Sequence, residues 1–305
     1  MKVAVTSPSF SKHPVLIKKI NESFDMVKLN AEGKIFTQEE LIEYLDGYEA
    51  VIVGLDSINK EVIDALPDLK IISKYGVGLN NIDLDYCKEK GISIGWTGGV
   101  NRLSVAELCL GNMLSLIRNL SPSSKQMAKG KWIKNGGEQL SGKRVGIIGL
   151  GHIGKELVRL LTPFQCEIWV NDLVYDDDFV KINGLLKKSK EEIYSNCKVI
   201  SLHVPFTNLT NNLIGKKELS TMSDGTILIN SARGGLIDES ALLEELKTGR
   251  ISAALDVFEV EPPTNSELLS LDNLLATPHI GGNSVEAVEA MGLSAIGHLQ
   301  TYSTK

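Results

Sequence analysis

The sequence predicts an α/β protein built from two doubly wound parallel-sheet domains. Three observations carry that expectation. Short apolar runs alternate with amphipathic stretches from one end of the chain to the other, the pattern of repeated βαβ units. The chain has 305 residues, enough for two domains with separate cores. One stretch, KRVGIIGLGHIGKELVRLL at 143–161, sets three glycines between a strand and a helix.

Taken in order, residues 2–6 read as a first strand, too short in its apolar part for a signal peptide. Val15, Leu16, Ile20 and Phe24 fall at helical spacing, and 24–30 follows as a second strand. Thr37 with Glu40 three residues on is a capping box that opens a helix. A buried strand at 50–55 precedes a helix closed by Pro67. Strands at 71–76 and 92–97 complete the first half.

TGGVN at 97–101 interrupts the alternation and a long helix follows, roughly 104–120. Val105, Leu108, Cys109, Leu110, Met113, Leu114, Leu116 and Ile117 make it more apolar than one sheet-facing side requires. That suggests packing between domains or against a second subunit. The segment 121–143 is polar and glycine-rich and reads as a surface arm. Further on, the acidic run 176–178 and Lys187, Lys188 and Lys190 read as a solvated loop and helix face. Strands follow at 198–205, 226–232, 252–258 and 273–279, with a helix at 238–248 between two of them. A helix at about 284–302 ends the sequence. If it packs on the first half, the first domain is discontinuous.

Composition narrows the function classes. The net charge of −6 gives no general attraction to nucleic acid or an anionic membrane. No apolar run approaches the length of a membrane span. Cys87, Cys109, Cys166 and Cys197 are isolated, which reads as buried thiols in a reducing cytoplasm. No H-E-x-x-H or Cys/His cluster suggests a metal.

The glycine triplet is the strongest local signal. Gly149 permits a tight turn, Gly151 lets a pyrophosphate approach the backbone, and Gly154 lets the helix pack closely on the strand. The helix N-terminus then offers unpaired N–H groups to phosphate. Leu157, Leu160, Leu161 and Phe164 continue the helical face, and the next strand ends in Asp172, eighteen residues after Gly154. A carboxylate there accepts from ribose hydroxyls and repels a 2′-phosphate, which points to NAD rather than NADP. A plain glycine turn in a βα unit would not need that acidic residue.

The chemistry is expected at the carboxyl ends of the later strands. Arg233, Asp256, Glu261 and His279 all fall just beyond such ends. An arginine fork holds a carboxylate, and a histidine gives or takes a proton near neutral pH. A carboxylate beside the histidine orients the ring and favours its charged form. Ketone reduction by hydride needs that set, with an acid ready for the forming alkoxide. Singly, Arg233 reads more readily as a surface cation, Glu261 as a solvated loop acid and His279 as a structural histidine. Together, behind a nucleotide motif, they favour a site. His203, at a strand end, reads as a border of the nucleotide.

At this point the motifs resemble a known family. GLGHIG with Asp172, LHVPFTNLTNNLI (202–214), ILINSARGGLIDESAL (227–242), ALDVFEVEP (254–262) and TPHIGG (277–282) resemble the D-isomer-specific 2-hydroxyacid dehydrogenases in order and spacing. KYGVGLNNID (74–83) and GGVNRLSVAEL (98–108) resemble that family's substrate-side segments. The resemblance implies two Rossmann-like domains with a deep interdomain cleft. Residues 1–98 plus 283–305 would bind substrate and 99–282 would bind NAD. It implies Arg233 as the substrate anchor, His279 as the acid/base, and Glu261 as its partner. It places Val77 and Gly78 N–H groups on the substrate carboxylate. His152, Ile153, Asp172, His203, Val204, Ser231, Ala232 and Asp256 would line NAD beside Gly149, Gly151 and Gly154. The long apolar helix would form a homodimer.

Three places depart from the family pattern, of which Gln165, standing where a glycine is common, has no expected consequence. Gly98 stands where a proline is usual, which loosens the hinge. GLDS at 54–57, with Asp56, stands where phosphoglycerate dehydrogenases of the family often carry R-S-x-T. The expected activity is NAD-dependent interconversion of a D-2-hydroxy acid and its 2-keto acid, of the 3-phosphoglycerate, hydroxypyruvate or glyoxylate class. The competing reading is a non-catalytic NAD(H)-sensing protein of the same fold, which would bind NADH without turnover.

Overall fold

A computed structural model of the chain describes residues 1–304. It divides into two compact units, Met1–Asn101 with the return of the chain from Ser284, and Arg102–Asn283.

The first unit holds five parallel strands, β1 (Lys2–Val5), β2 (Met26–Leu29), β3 (Ala50–Val53), β4 (Ile71–Lys74) and β5 (Ser93–Gly95). Their order is β2-β1-β3-β4-β5. Successive residues serve opposite faces, so Val3 and Val5 enter one core with Phe10, Leu16, Ile20 and Leu299. Ala4, Val51 and Val53 enter the other with Leu41, Leu45 and Val62. Thr37 and Glu40 form both bonds of the capping box that opens the Gln38–Leu45 helix. The final helix, Val285–Ser303, packs in this unit. Gly292 permits the contact, because a Cβ there would lie 2.2 Å from a Leu16 methyl. Ser73 Oγ anchors the same helix by donating to the Ala295 carbonyl at 2.8 Å.

The second unit holds seven parallel strands, β6 (Arg144–Ile148), β7 (Glu167–Asn171), β8 (Leu186–Lys187), β9 (Val199–Leu202), β10 (Ile227–Asn230), β11 (Ser252–Leu255) and β12 (Leu274–Ala276). Their order is β12-β11-β10-β9-β6-β7-β8. The direction of winding therefore reverses between β6 and β9, where an open α/β sheet leaves a crevice for ligands. β6 and β9 are wholly apolar or small inward, and all four residues of β9 and of β10 are buried.

Two expectations need correction here. The helix expected at 104–120 is two helices, Arg102–Ile117 and Leu120–Ala128. Asn119 takes a left-handed conformation (φ 53°) between them. Pro122 explains the break, since it has no N–H to continue the first helix and its ring would strike the preceding turn. The arm beyond 120 has no buried residue in its helix, as a surface segment should. Lys187, read as part of a helix face, instead lies on the edge strand β8 and pairs with Asp177. Asp176 caps the short Asp177–Ile182 helix.

Among the described residues, no helix is long and apolar enough to cross a membrane. All four cysteines are free thiols, and Cys87, Cys109 and Cys197 are buried. Burial pushes the Cys87 thiol up to about 11 and Cys197 up to about 12, so both stay protonated at neutral pH.

Candidate functional site

The glycine turn sits at the switch point of the second unit. Gly149 follows β6 with φ 101°, and a Cβ there would lie 2.4 Å from the His203 carbonyl oxygen beyond β9. A side chain would therefore prise the two strand ends apart. Gly154 is fixed the same way, since its Cβ would lie 2.2 Å from the Gly149 carbonyl oxygen. Gly151 is different, because a Cβ there would meet nothing within 4 Å. It caps the His152–Leu161 helix without a side-chain bond, so the first N–H groups face open space. That is the cradle a pyrophosphate needs. His152 is exposed and Ile153 half-buried at the start of the helix.

Asp172 stands at the end of β7. Its Oδ2 accepts from the Leu150 N–H at 2.5 Å and its Oδ1 from the Val174 N–H at 3.2 Å. The carboxylate is thus held against the glycine turn, at the place where a ribose would follow the pyrophosphate. These residues fit NAD. His203 contributes backbone to the crevice: its ring turns to Ser201 Oγ at 2.9 Å, and Nδ1 is buried without a partner. Burial pushes His203 down to about 4, so the ring is neutral at physiological pH. Val204 is half-buried beside it, and Ser231 and Ala232 are buried just past β10.

The three residues expected to do the chemistry lie on loops of this same unit. His279 Nδ1 is 2.7 Å from Glu261 Oε2, and Glu261 Oε1 accepts from the Phe258 N–H at 3.1 Å. The glutamate is therefore oriented from behind and orients the ring in front. His279 adopts φ 53°, an uncommon conformation for a non-glycine residue that surrounding bonds must hold. Asp256 supplies them. Almost fully buried, it accepts from Thr277 Oγ1 at 2.7 Å, from the Ile280 N–H at 2.8 Å and from the Gly281 N–H at 2.7 Å. Its carboxylate staples the loop on both sides of His279.

Arg233 follows β10 on a turn organised by Asn230. The asparagine Oδ1 accepts from the Ala232 N–H at 3.0 Å and its Nδ2 donates to the Arg233 carbonyl at 2.8 Å. Gly234 brings this turn onto the Glu261 loop: a Cβ there would lie 1.8 Å from the Phe258 carbonyl oxygen. Burial pulls the Arg233 guanidinium below its usual range, and the nearby Glu261 carboxylate opposes this. Sequence reasoning passed over Asn230, Thr277 and Ser104. The last donates to the Gly281 carbonyl at 2.6 Å. Their only signal was a polar residue beside a motif, at a strand end or helix start.

Val77 and Gly78 lie in the first unit, half-buried in the loop after β4. Trp96 Nε1 fixes that loop by donating to the Val77 carbonyl at 2.9 Å. Among the described residues, no group of three His, Cys, Asp or Glu side chains could hold a metal ion.

The chain is similar to known proteins over most of its length. The sequence model of the D-isomer specific 2-hydroxyacid dehydrogenase NAD-binding domain matches residues 110–281. The chain is 38% identical over 281 residues to a hydroxypyruvate reductase of Thermotoga maritima, covering 88% of this chain and 89% of that protein. It is 37% identical over 297 residues to a D-3-phosphoglycerate dehydrogenase of Methanocaldococcus jannaschii, but spans only 55% of that protein's length. Among solved structures, D-lactate dehydrogenase of Aquifex aeolicus with NAD and lactic acid superposes with a TM-score of 0.86 at 26% identity, covering 100% of this chain and 96% of that one.

Proposed function

The chain belongs to the D-isomer-specific 2-hydroxyacid dehydrogenase family, and from that premise we propose that it reduces a short 2-keto acid of the glyoxylate, hydroxypyruvate or 3-phosphohydroxypyruvate class to the D-2-hydroxy acid, or runs the reverse reaction. NAD is its cofactor and, when bound, supplies or accepts the hydride. The second unit is the NAD-binding part. We assign the first unit to the substrate, with the Val77 and Gly78 N–H groups as its carboxylate donors.

The observation that carries the reading is the His279–Glu261 pair. With Nδ1–H given to the glutamate at 2.7 Å, the ring presents Nε2, which makes no hydrogen bond among the described residues. Nε2–H donates to the substrate carbonyl and delivers its proton as that oxygen becomes an alkoxide. Glu261 takes up the imidazolium's other N–H and keeps the ring in one tautomer. In oxidation the neutral Nε2 removes the hydroxyl proton. The Arg233 fork binds the carboxylate on C1 and so fixes which face of C2 is presented. Asp172 orders the ribose end and disfavours a 2′-phosphate.

The test is NADH oxidation with glyoxylate and hydroxypyruvate for the natural chain and for His279→Ala. The natural chain should turn over, and the variant should lose roughly a hundredfold or more in kcat while binding NADH as before. A variant rate near that of the natural chain would remove His279 from the chemistry.

We infer a homodimer, because Leu120, Met127, Ile133 and Trp132 (77% exposed) place apolar surface on the arm. We place the protein in the cytoplasm, where its unpaired thiols would stay reduced.

A further inference from the structure

The stretch that carries Glu261 has little to hold it. Phe258 is buried, and Glu259, Val260 and Glu261 beyond it are exposed. None of these three makes a backbone–backbone hydrogen bond among the described residues. Packing and sheet pairing therefore do not fix where Glu261 stands, yet its Oε2 meets His279 Nδ1 at 2.7 Å.

The hold comes from the helix Glu239–Lys247 of the same unit. That helix is a firm platform: Leu242, Leu243 and Leu246 are buried in the core, and Ile237 just before it bridges to Ile214. Asp238 caps it by accepting from the Ala241 N–H at 2.9 Å, which leaves the Glu239 N–H in the first turn without a helical partner. Glu259 Oε1 accepts that N–H at 3.1 Å, where a negative charge also suits the helix dipole. In return Glu239 Oε1 accepts the Glu259 N–H at 2.6 Å. The two bonds clasp the exposed stretch to the helix, two residues before Glu261.

The clasp sets carboxylate beside carboxylate, a costly choice where a neutral amide oxygen would also accept. Burial raises the half-buried Glu239 carboxyl above its usual range; the Glu259 N–H opposes this, and the Glu259 and Glu261 carboxylates add to it. The three acids are thus close enough to feel one another. Arg233 feels Glu261 as well, and the buried Asp256 staples the His279 loop, so these five are the charged groups around the acid/base pair.

We infer that Glu239 is a positioning residue of that pair: it holds the Glu259–Glu261 stretch where Glu261 can orient His279, and its negative charge helps to keep the proton on the ring. The inference rests on the proposed 2-keto acid reduction and adds to it a residue that acts through Glu261. Loss of a hydrogen bond to a charged acceptor is worth roughly tenfold or more.

The experiment measures kcat, KM and the NADH dissociation constant, with the pH profile of kcat/KM for reduction of glyoxylate and hydroxypyruvate, in the natural chain, Glu239→Ala and Glu239→Gln. Glu239→Ala should lose roughly tenfold in kcat with NADH affinity unchanged. Glu239→Gln keeps an acceptor for the Glu259 N–H and should keep most of kcat. Both variants lose a negative charge, which makes the imidazolium less stable. The limb on which reduction fails as His279 gives up its proton should therefore move to lower pH, by roughly 0.5 on the pH scale. A residue that merely supported the fold would not move that limb. The inference is overturned if Glu239→Ala keeps the natural kcat, if Glu239→Gln loses as much as Glu239→Ala, or if the limb stays in place. Should Glu239→Ala not fold, the limb of the near-isosteric Glu239→Gln decides. Absence of NADH oxidation by the natural chain with both acids would overturn the parent reading, and this one with it; turnover by the natural chain with unaltered variants would overturn this one alone.

Discussion

Replacing Asp256 with asparagine should cost catalysis more than cofactor binding. The carboxylate holds the 277–281 loop through Thr277 Oγ1, the Ile280 N–H and the Gly281 N–H, at 2.7, 2.8 and 2.7 Å. An asparagine oxygen in the place of Oδ1 keeps the first two in weaker, neutral form. Its amide nitrogen then faces the Gly281 N–H, donor against donor. One charge-assisted bond, about 1.5–3 kcal/mol, is lost and a buried donor is left unpaired. The loop has little room to slide, because a Cβ at Gly281 would already lie 2.9 Å from Oδ2. We take the loss of loop order as about 3 kcal/mol. His279, held at φ 53°, is the residue with most to relax when that hold weakens. At about 1.4 kcal/mol per factor of ten, kcat should fall roughly a hundredfold. The assay is kcat and KM for the 2-keto acid beside the NADH dissociation constant from nucleotide fluorescence. A kcat close to that of the natural chain, or a loss confined to NADH binding, would refute the positioning argument and leave Asp256 a cofactor contact alone.

Arg233→Ala should raise KM for the 2-keto acid by about a hundredfold, the worth of a bidentate charged pair, with NADH affinity little changed. Steady-state kinetics against the NADH dissociation constant separate the two, and equal losses would remove the carboxylate-anchor role. His203 gives a pH dependence of stability. Its folded pKa of about 4 lies below the ordinary 6.5, so the unfolded chain binds more protons between those values. Stability should therefore rise with pH across that window, by at most about 3 kcal/mol, and level off above it. Urea midpoints across the window should show this slope, and His203→Gln should flatten it; an unchanged slope would place its origin elsewhere.

The elements that position the cofactor were legible because each rests on local chemistry. The glycines at 149, 151 and 154 obey a spacing that only a strand–turn–helix satisfies, and the capping box at Thr37 and Glu40 is read within four residues. The break at Asn119 was harder, since an apolar pattern ran through it and only Pro122, three residues on, marked the end. The support of the site was not legible. Asp256 reaches a loop more than twenty residues away, and Gly234 matters because of the Phe258 carbonyl oxygen. The local pattern EVEP at 259–262 does not tell its two glutamates apart. In the fold Glu261 takes His279, while the side-chain carboxylates of Glu259 and Glu239 each accept the other residue's backbone N–H. Such pairings come from loop closure between strands, which periodicity does not encode.

The central claim is hydride transfer to C2 of a 2-keto acid with protonation by His279. It is tested most directly by incubating the chain with NADH deuterated at the transferable position of C4 and glyoxylate, hydroxypyruvate or pyruvate, followed by mass and chiral analysis of the product. The account predicts deuterium on C2 and, from the acids that give a chiral product, the D-hydroxy acid alone. Unlabelled product, the L-isomer, or NADH bound without any product would contradict it.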